Sequence, residues 1–313
     1  MRIFLAGATG ALGRRLVPAL VTAGYEVTGS TRDPGRQDAL RAAGAEPAVL
    51  DPLDEAAVHA AVSATRPDVV MHQLTALARL TGFRRMDDQF ATTNLLRTRG
   101  IDILLAAARA GGARRFIAQS FTGWPNARTG GPVATEEHPL DPAPAAAARR
   151  SLAAIRYLES TVTAAPDIEG VVLRYGFFYG PGTGLESGGP IVDLIRRRRF
   201  PVVGGGRGVW SLVHIDDAAT ATVAAVEHGA PGRYNICDDE PAPVRDWLPY
   251  LARTVGAGPP ARIPAWLARP LLGAQGVSMM TDIRGSSNAR AKRELGWTPA
   301  YPTWREGFRT GLG

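Results

Sequence analysis

The first half of the chain alternates short apolar runs with stretches in which apolar residues return every three or four positions. Arg2–Ala6, Glu26–Ser30, Pro47–Leu50, Asp68–His72 and Arg115–Ser120 read as strands. Gly13–Ala23, Pro34–Ala43, Glu55–Ala64 and a long stretch from about Asp88 to Ala110 read as helices. Strand and helix in succession predict βαβ units, hence a parallel sheet with helices on both faces. Right-handed crossovers make that sheet doubly wound. The region from Gly123 to Pro144 is rich in Gly, Pro and Ala and reads as a long loop. An alanine-rich helix over Ala145–Ala165 and a buried strand at Gly170–Leu173 follow it. Beyond them the pattern loosens. Glycine-rich loops lie at Gly180–Gly189 and Gly204–Gly208, a helix at Asp216–His228 and a short strand at Arg233–Ile236. The C-terminal stretch reads as short helices parted by Pro259–Pro260, Pro264 and Pro299.

The 313 residues are 45% hydrophobic and 21% charged, an ordinary globular composition. A chain of this length buries a core without disulfide or metal staples. Cys237 is the only cysteine, so no disulfide framework exists within the chain, which fits a reducing, cytoplasmic setting. Met1 runs straight into the first strand, and no run reaches the ~18 apolar residues of a membrane span, so neither a leader nor a membrane partner is expected. The formal charge of +7 is almost all arginine, Lys292 being the single lysine. The arginines are scattered, and the one run, Arg196–Arg199, reads as a solvated helix end, so no nucleic-acid partner is expected. The five histidines do not fall at ligand spacing with acids or with Cys237, so no metal is expected. A Gly-x-Ser-x-Gly elbow and a phosphate-binding Gly-Lys-Ser/Thr are both absent from the sequence.

The candidate chemistry begins at Leu5-Ala6-Gly7-Ala8-Thr9-Gly10-Ala11-Leu12-Gly13, a G-x-x-G-x-x-G loop between the first strand and the first helix. Gly7 permits a tight turn, Gly10 a close approach of backbone to a pyrophosphate, and Gly13 close packing of helix on sheet. The free N–H groups and positive end of the helix attract the phosphates. Contacts are therefore expected at Gly7, Thr9, Gly10, Ala11, Leu12 and Gly13. The tip of the second strand chooses the dinucleotide. A ribose-binding acid is expected ~20 residues past the glycines, and this chain has Thr31-Arg32 there. An acid would repel a 2′-phosphate, whereas Arg32, with Arg36 as a second charge, pairs with one. NADP(H) is the expected cofactor, with NAD(H) the alternative through Asp33. Asp51, followed by Pro52 and Leu53, is placed for the adenine, and its other reading is a loop or capping acid.

Residues along nearly the whole chain resemble the extended short-chain dehydrogenases/reductases, also called the NAD-dependent epimerase/dehydratase family. Besides the glycine loop, Pro67–His72 resembles the strand ending beside the nicotinamide ribose, and Asn94 the asparagine of the long helix. Phe116-Ile117-Ala118-Gln119-Ser120 resembles the strand leading to the catalytic Ser/Thr, and Glu137–Pro142 the loop before the catalytic helix. Arg174–Gly182, Val213–Ala218 and Glu294–Pro299 resemble later hallmarks. The resemblance implies an α/β fold: a doubly wound parallel Rossmann sheet with a smaller C-terminal α+β substrate domain. Residues 1–174 with about 209–236 would form the first, and about 175–208 with 237–313 the second. It implies that Gln73, Leu74 and Thr75 line the ribose, that Tyr175 and Gly176 lie near the nicotinamide, and that the chain pairs as a homodimer.

The family's acid/base pair, Tyr-x-x-x-Lys, has no counterpart. No tyrosine lies between Gly123 and Arg156, and the register puts Ala147 and Ser151 in the two places. Ser120 or Thr122 is a candidate for bonding a substrate oxygen. His138 and Tyr179, with Glu186 and His214, are the candidate substitute acids, against plainer readings as turn, packing or capping residues. The expected activity is an NADP(H)-dependent reductase, epimerase or dehydratase acting on a small carbonyl or hydroxyl compound. The alternatives are a non-catalytic NADP(H)-binding regulator, or a non-redox isomerase or cyclase that uses the cofactor structurally.

Overall fold

The computed structural model describes residues 1–77 and 84–313. Seven strands form one all-parallel sheet: β1 Arg2–Ala6, β2 Glu26–Thr31, β3 Glu46–Val49, β4 Val69–His72, β5 Arg115–Phe121, β6 Glu169–Tyr175 and β7 Gly232–Ile236. Their spatial order is β7-β6-β5-β4-β1-β2-β3, so the winding reverses between β1 and β4. There Ala6 lies opposite both Ser30 and His72. A crevice outside the carboxyl ends of the strands at such a reversal is where ligands bind in open α/β sheets.

Alternation along the strands builds two cores. Ile3, Leu5, Val69, Met71, Ile117, Leu173 and Tyr175 point to one face and pack on helices Gly13–Thr22 and Ile215–Glu227. Phe4, Val70, Phe116, Ala118 and Val172 point to the other and pack on helices Glu55–Thr65, Ile101–Ala110 and Arg149–Thr163. A third core gathers Trp210, Trp247, Trp304, Phe308 and Tyr179 around helices Val244–Thr254 and Trp304–Thr310.

Several sequence expectations change in form, and the helix expected over Pro34–Ala43 opens as a 3₁₀ turn at Pro34–Arg36. The long helix expected from Asp88 is a broken series: Met86–Gln89, Ala91–Leu95, a π turn at Leu96–Gly100, and Ile101–Ala110. The π turn coincides with the ring of His72, whose Nε2 meets the Leu96 carbonyl at 3.1 Å, and with the burial of Arg97. Single π turns of this kind recur at functional sites. The helix expected from Ala145 opens as a 3₁₀ turn, Ala146–Ala148, and becomes α-helical only at Arg149, where a distant acid caps it. The Gly123–Pro144 loop carries a two-residue strand, Val133–Ala134, paired with Gly285–Ser286, which no local pattern announces.

Candidate functional site

The glycine loop has the geometry its spacing predicts. Gly7 sits at φ 95°, and a Cβ there would lie 2.7 Å from the Gln73 carbonyl oxygen. A Cβ on Gly13 would lie 2.3 Å from the Gly7 carbonyl oxygen, so the first turn of the helix is pressed onto the loop. The Gly7 amide donates to Ser30 Oγ, and the hydroxyls of Thr9 and Thr31 meet at 3.2 Å. Gly7, Thr9, Gly10, Ser30, Thr31, Arg32, Leu50, Pro52, Gln73, Leu74 and Thr75 line one cavity of about 210 Å³. The sequence reading omits Ser30 and Leu50 from that wall. Ser30 precedes the strand tip it was read from, and Leu50 shows only as the end of an apolar run.

Around residue 32 the charges sort themselves. Asp33 is occupied: its carboxylate accepts from the Gly35 amide at 2.9 Å and faces Arg36 Nε at 3.5 Å. Arg32 is exposed and has no hydrogen bond or ion pair among the described residues. Asp51 Oδ1 accepts from the Leu53 amide, the turn-capping role weighed above, and its side chain stays exposed beside the cavity wall at Pro52.

At the carboxyl ends of β4, β5 and β6, successive residues divide between the faces. Gln73 Nε2 donates to the Tyr175 hydroxyl at 3.3 Å, and that hydroxyl also meets Thr222 Oγ1 at 2.6 Å. Burial drives the Tyr175 phenol upward, so it stays protonated. Gly176 admits no side chain, because a Cβ would lie 2.5 Å from the Ser211 carbonyl oxygen. On the opposite face, Ser120 Oγ donates to Glu159 Oε1 at 2.7 Å. Glu159 also accepts from Arg174 Nε at 2.8 Å and faces Arg233 Nε at 3.2 Å. Arg174 is thus buried in an ion pair that ties helix Arg149–Thr163 to the sheet. Beyond β5 and β6 three aromatic rings pack on one another. Phe177 stacks on Trp210 with centroids 3.8 Å apart, and Phe121 meets Phe177 edge-on at 4.9 Å.

The helix start Arg149–Thr163 presents no acid/base pair. Ala147 lies in the 3₁₀ turn. Ser151 is buried, with its amide and hydroxyl both donating to Asp87 Oδ1 at 2.8 and 2.7 Å, while Asn94 Nδ2 donates to Ser151 Oγ at 3.1 Å. Asp87 also accepts from the Arg150 amide, so a carboxylate 63 and 64 positions away in the chain satisfies the first turn. The remaining candidates lie apart. Thr122 Oγ1 bonds Ser286 Oγ at 2.6 Å. His138 Nδ1 accepts from the Thr135 amide in its loop, and Glu186 accepts from the Gly182 amide. His214 Nε2 donates to the Gly311 carbonyl while its Nδ1 accepts from the Asp216 amide, the capping arrangement. Tyr179 is packed edge-on against His214 and Phe308, its hydroxyl buried without a partner among the described residues.

Several buried polar atoms lack partners among the described residues: His72 Nδ1, Asn94 Oδ1 and Arg97 Nη1 belong to the face where the His72 ring meets Leu96, and Gln73 Oε1 to the opposite face with Tyr175. Such groups ordinarily find a partner, so on both faces of the strand end polar atoms are left for a polar ligand. With the glycine cradle and the free Arg32, the residues fit a dinucleotide. The sequence reading misses Asp87, Glu159 and Arg97; only Arg97, a charge on the apolar face three residues after Asn94, leaves any local trace.

His72 yields a pH prediction. Burial, aided by the charge of Arg97 and opposed by the Leu96 hydrogen bond, lowers it from 6.5 to about 4. Between those values the folded ring is neutral and the unfolded ring is protonated, so the unfolded chain holds the extra proton. Stability therefore falls as pH drops from 6.5 towards 4, by up to about 3 kcal/mol. Urea unfolding across that window is expected to show this slope in the natural chain and a flatter one in His72→Gln; equal slopes would refute it.

A family model described as the NAD dependent epimerase/dehydratase family matches residues 3–237. The 3-diazoavenalumate denitrifying reductase of a Streptomyces species is 47% identical over 98% of this chain and 99% of its own. The 4-hydroxy-2-methyl-3-oxo-4-farnesyl-3,4-dihydroquinoline-1-oxide ketoreductase of Stigmatella aurantiaca is 31% identical over 82% of this chain and 74% of its own. Among solved structures, UDP-glucose 4-epimerase from Thermotoga maritima with UDP-glucose superposes with a TM-score of 0.79 at 21% identity, covering 100% of this chain and 97% of that one.

Proposed function

Because this chain belongs to the NAD dependent epimerase/dehydratase family, we propose that it is an NADP(H)-dependent reductase that removes the diazo group from a flat aromatic compound. The 47% identical relative carries a diazo compound and a denitrifying reduction in its name, over almost the full length of both chains. The observation that carries the reading is the start of helix Arg149–Thr163, where Ala147 and the Asp87-bound Ser151 offer no proton donor.

The chemistry accounts for that loss. Reduction of a ketone leaves an alkoxide that needs a proton, and general acid catalysis typically contributes ~10²–10⁴-fold there. Reduction of an aryl diazonium ion leaves no such anion. When bound, the dinucleotide would supply a hydride, that is, one proton with two electrons. A carbon–hydrogen bond forms, the carbon–nitrogen bond breaks, and its electron pair departs within dinitrogen. The cation is consumed by the hydride, so charge balances without an enzymic acid. The chain's task is then to bind, orient and keep water away.

In this reading the glycine loop holds the pyrophosphate, Arg32 takes the 2′-phosphate, and Gln73, Leu74 and Thr75 border the nicotinamide ribose. Residues 1–174 with about 209–236 hold the dinucleotide, and 175–208 with 237–313 shape the substrate side. Phe121, Phe177 and Trp210 supply flat walls for an aromatic ring. The exposed Leu95 and Tyr157, on adjacent helices, supply a face for a homodimer. The buried free Cys237 fits a reducing cytoplasm.

A second reading, carbonyl reduction, draws on the 31% identical ketoreductase, with Thr122 as the hydroxyl near the substrate. One experiment separates them. The purified protein is given NADPH with aryl diazo compounds and, separately, with ketones. Equimolar loss of NADPH and release of dinitrogen from the diazo compounds is expected. Turnover of ketones alone, or of neither class, defeats the proposal.

A further inference from the structure

The π turn Leu96–Gly100 buries an arginine where a helix packed on a sheet ordinarily places an apolar side chain. Arg97 is 4% exposed. It makes no hydrogen bond or ion pair among the described residues, and its Nη1 is fully enclosed without an acceptor. Glu159, the opposite charge that acts on it, is already committed to Ser120, Arg174 and Arg233. One buried carboxylate thus serves three guanidinium groups, two of them buried and Arg233 partly exposed. Burial lowers Arg97 to about 10, with Glu159 opposing, so it remains a cation at neutral pH. A buried charge without a fitted counterpart opposes folding. The fold keeps this one, on the residue after Leu96, whose carbonyl meets the His72 ring at the end of β4. Asn94, one turn earlier on the same helical face, turns its amide nitrogen to Ser151 and leaves Oδ1 unpartnered. His72, whose ring is bonded to the π turn itself, leads directly into Gln73, Leu74 and Thr75 on the cavity wall.

We propose that Arg97 is a cofactor-positioning cation whose free N–H groups meet a hydroxyl oxygen of the nicotinamide-side ribose when the dinucleotide is seated. The inference rests on the nicotinamide reading above and adds a residue to it. It gives the π turn a purpose: the wider turn carries residue 97 next to Leu96, whose carbonyl meets the His72 ring at the end of β4.

The test is a pair of measurements on the full chain with Arg97→Met and Arg97→Lys. Calorimetry reads the NADPH dissociation constant, and urea unfolding without nucleotide reads the fold. Arg97→Met is expected to weaken NADPH binding by about 10- to 100-fold, the worth of a charged hydrogen bond. Its unfolding midpoint without nucleotide is expected to hold or rise, because an unmatched charge has gone. Arg97→Lys keeps the cation without the planar fork and is expected to fall between. A purely structural arginine gives the reverse, a lowered midpoint with unchanged affinity in the folded protein, and that result overturns the proposal. Binding by the natural chain that Arg97→Met leaves untouched overturns this inference alone. No binding of any dinucleotide by the natural chain overturns the nicotinamide reading with it.

Discussion

Glu159→Leu is expected to cost about 3–5 kcal/mol of folding stability, the usual price of breaking a buried ion pair from one side. Glu159 is 2% exposed and Arg174 3% exposed, so water does not replace the lost partner. Three attachments go at once: Ser120 Oγ at 2.7 Å, Arg174 Nε at 2.8 Å and Arg233 Nε at 3.2 Å. Arg97 loses its nearby negative charge as well. Glu159→Gln keeps an acceptor for one of them and should lose less. Because these bonds join helix Arg149–Thr163 to the ends of β5 and β6, the damage falls on the edge that carries the site. Denaturant unfolding of both variants checks it. A loss below about 1 kcal/mol, typical of an exposed pair, would mean that the network is not the anchor its burial implies.

Arg32→Ala is expected to weaken NADPH binding by about 10- to 100-fold while leaving NADH binding nearly unchanged, because one charged partner of the 2′-phosphate is removed. The prediction follows from which charges are spoken for. Asp33 is held by the Gly35 amide and by Arg36, whereas Arg32 has no partner among the described residues. Arg36→Ala, which frees Asp33, should have the smaller effect. Dissociation constants for both nucleotides, measured at one ionic strength, decide the matter, since exposed charge pairs weaken with salt. Equal losses for the two nucleotides would place Arg32 outside the phosphate subsite.

Both predictions concern charged residues in a chain of scattered arginines, and they differ in how far the sequence exposes them. Arg32 stands at a strand tip whose distance from the glycine loop is itself the signal. Glu159, Arg174 and Arg97 belong to a cluster whose members lie 15 to 77 positions apart. The sequence offers each as one more charge on a helix or strand.

The primary sequence determined the parallel sheet, the crossing helices and the glycine loop, because each follows from local periodicity or from backbone freedom at Gly7 and Gly13. Those are properties of a few consecutive residues, and they hold wherever the segment is placed. Tertiary structure alone decided what closes the site. It brought Asp87 onto the start of a helix more than sixty residues away, enclosed Glu159 among guanidinium groups, and buried Arg97 in a π turn against His72. The reason is physical: a charge has no fixed worth until its neighbours and its distance from water are set, and only the folded chain sets them.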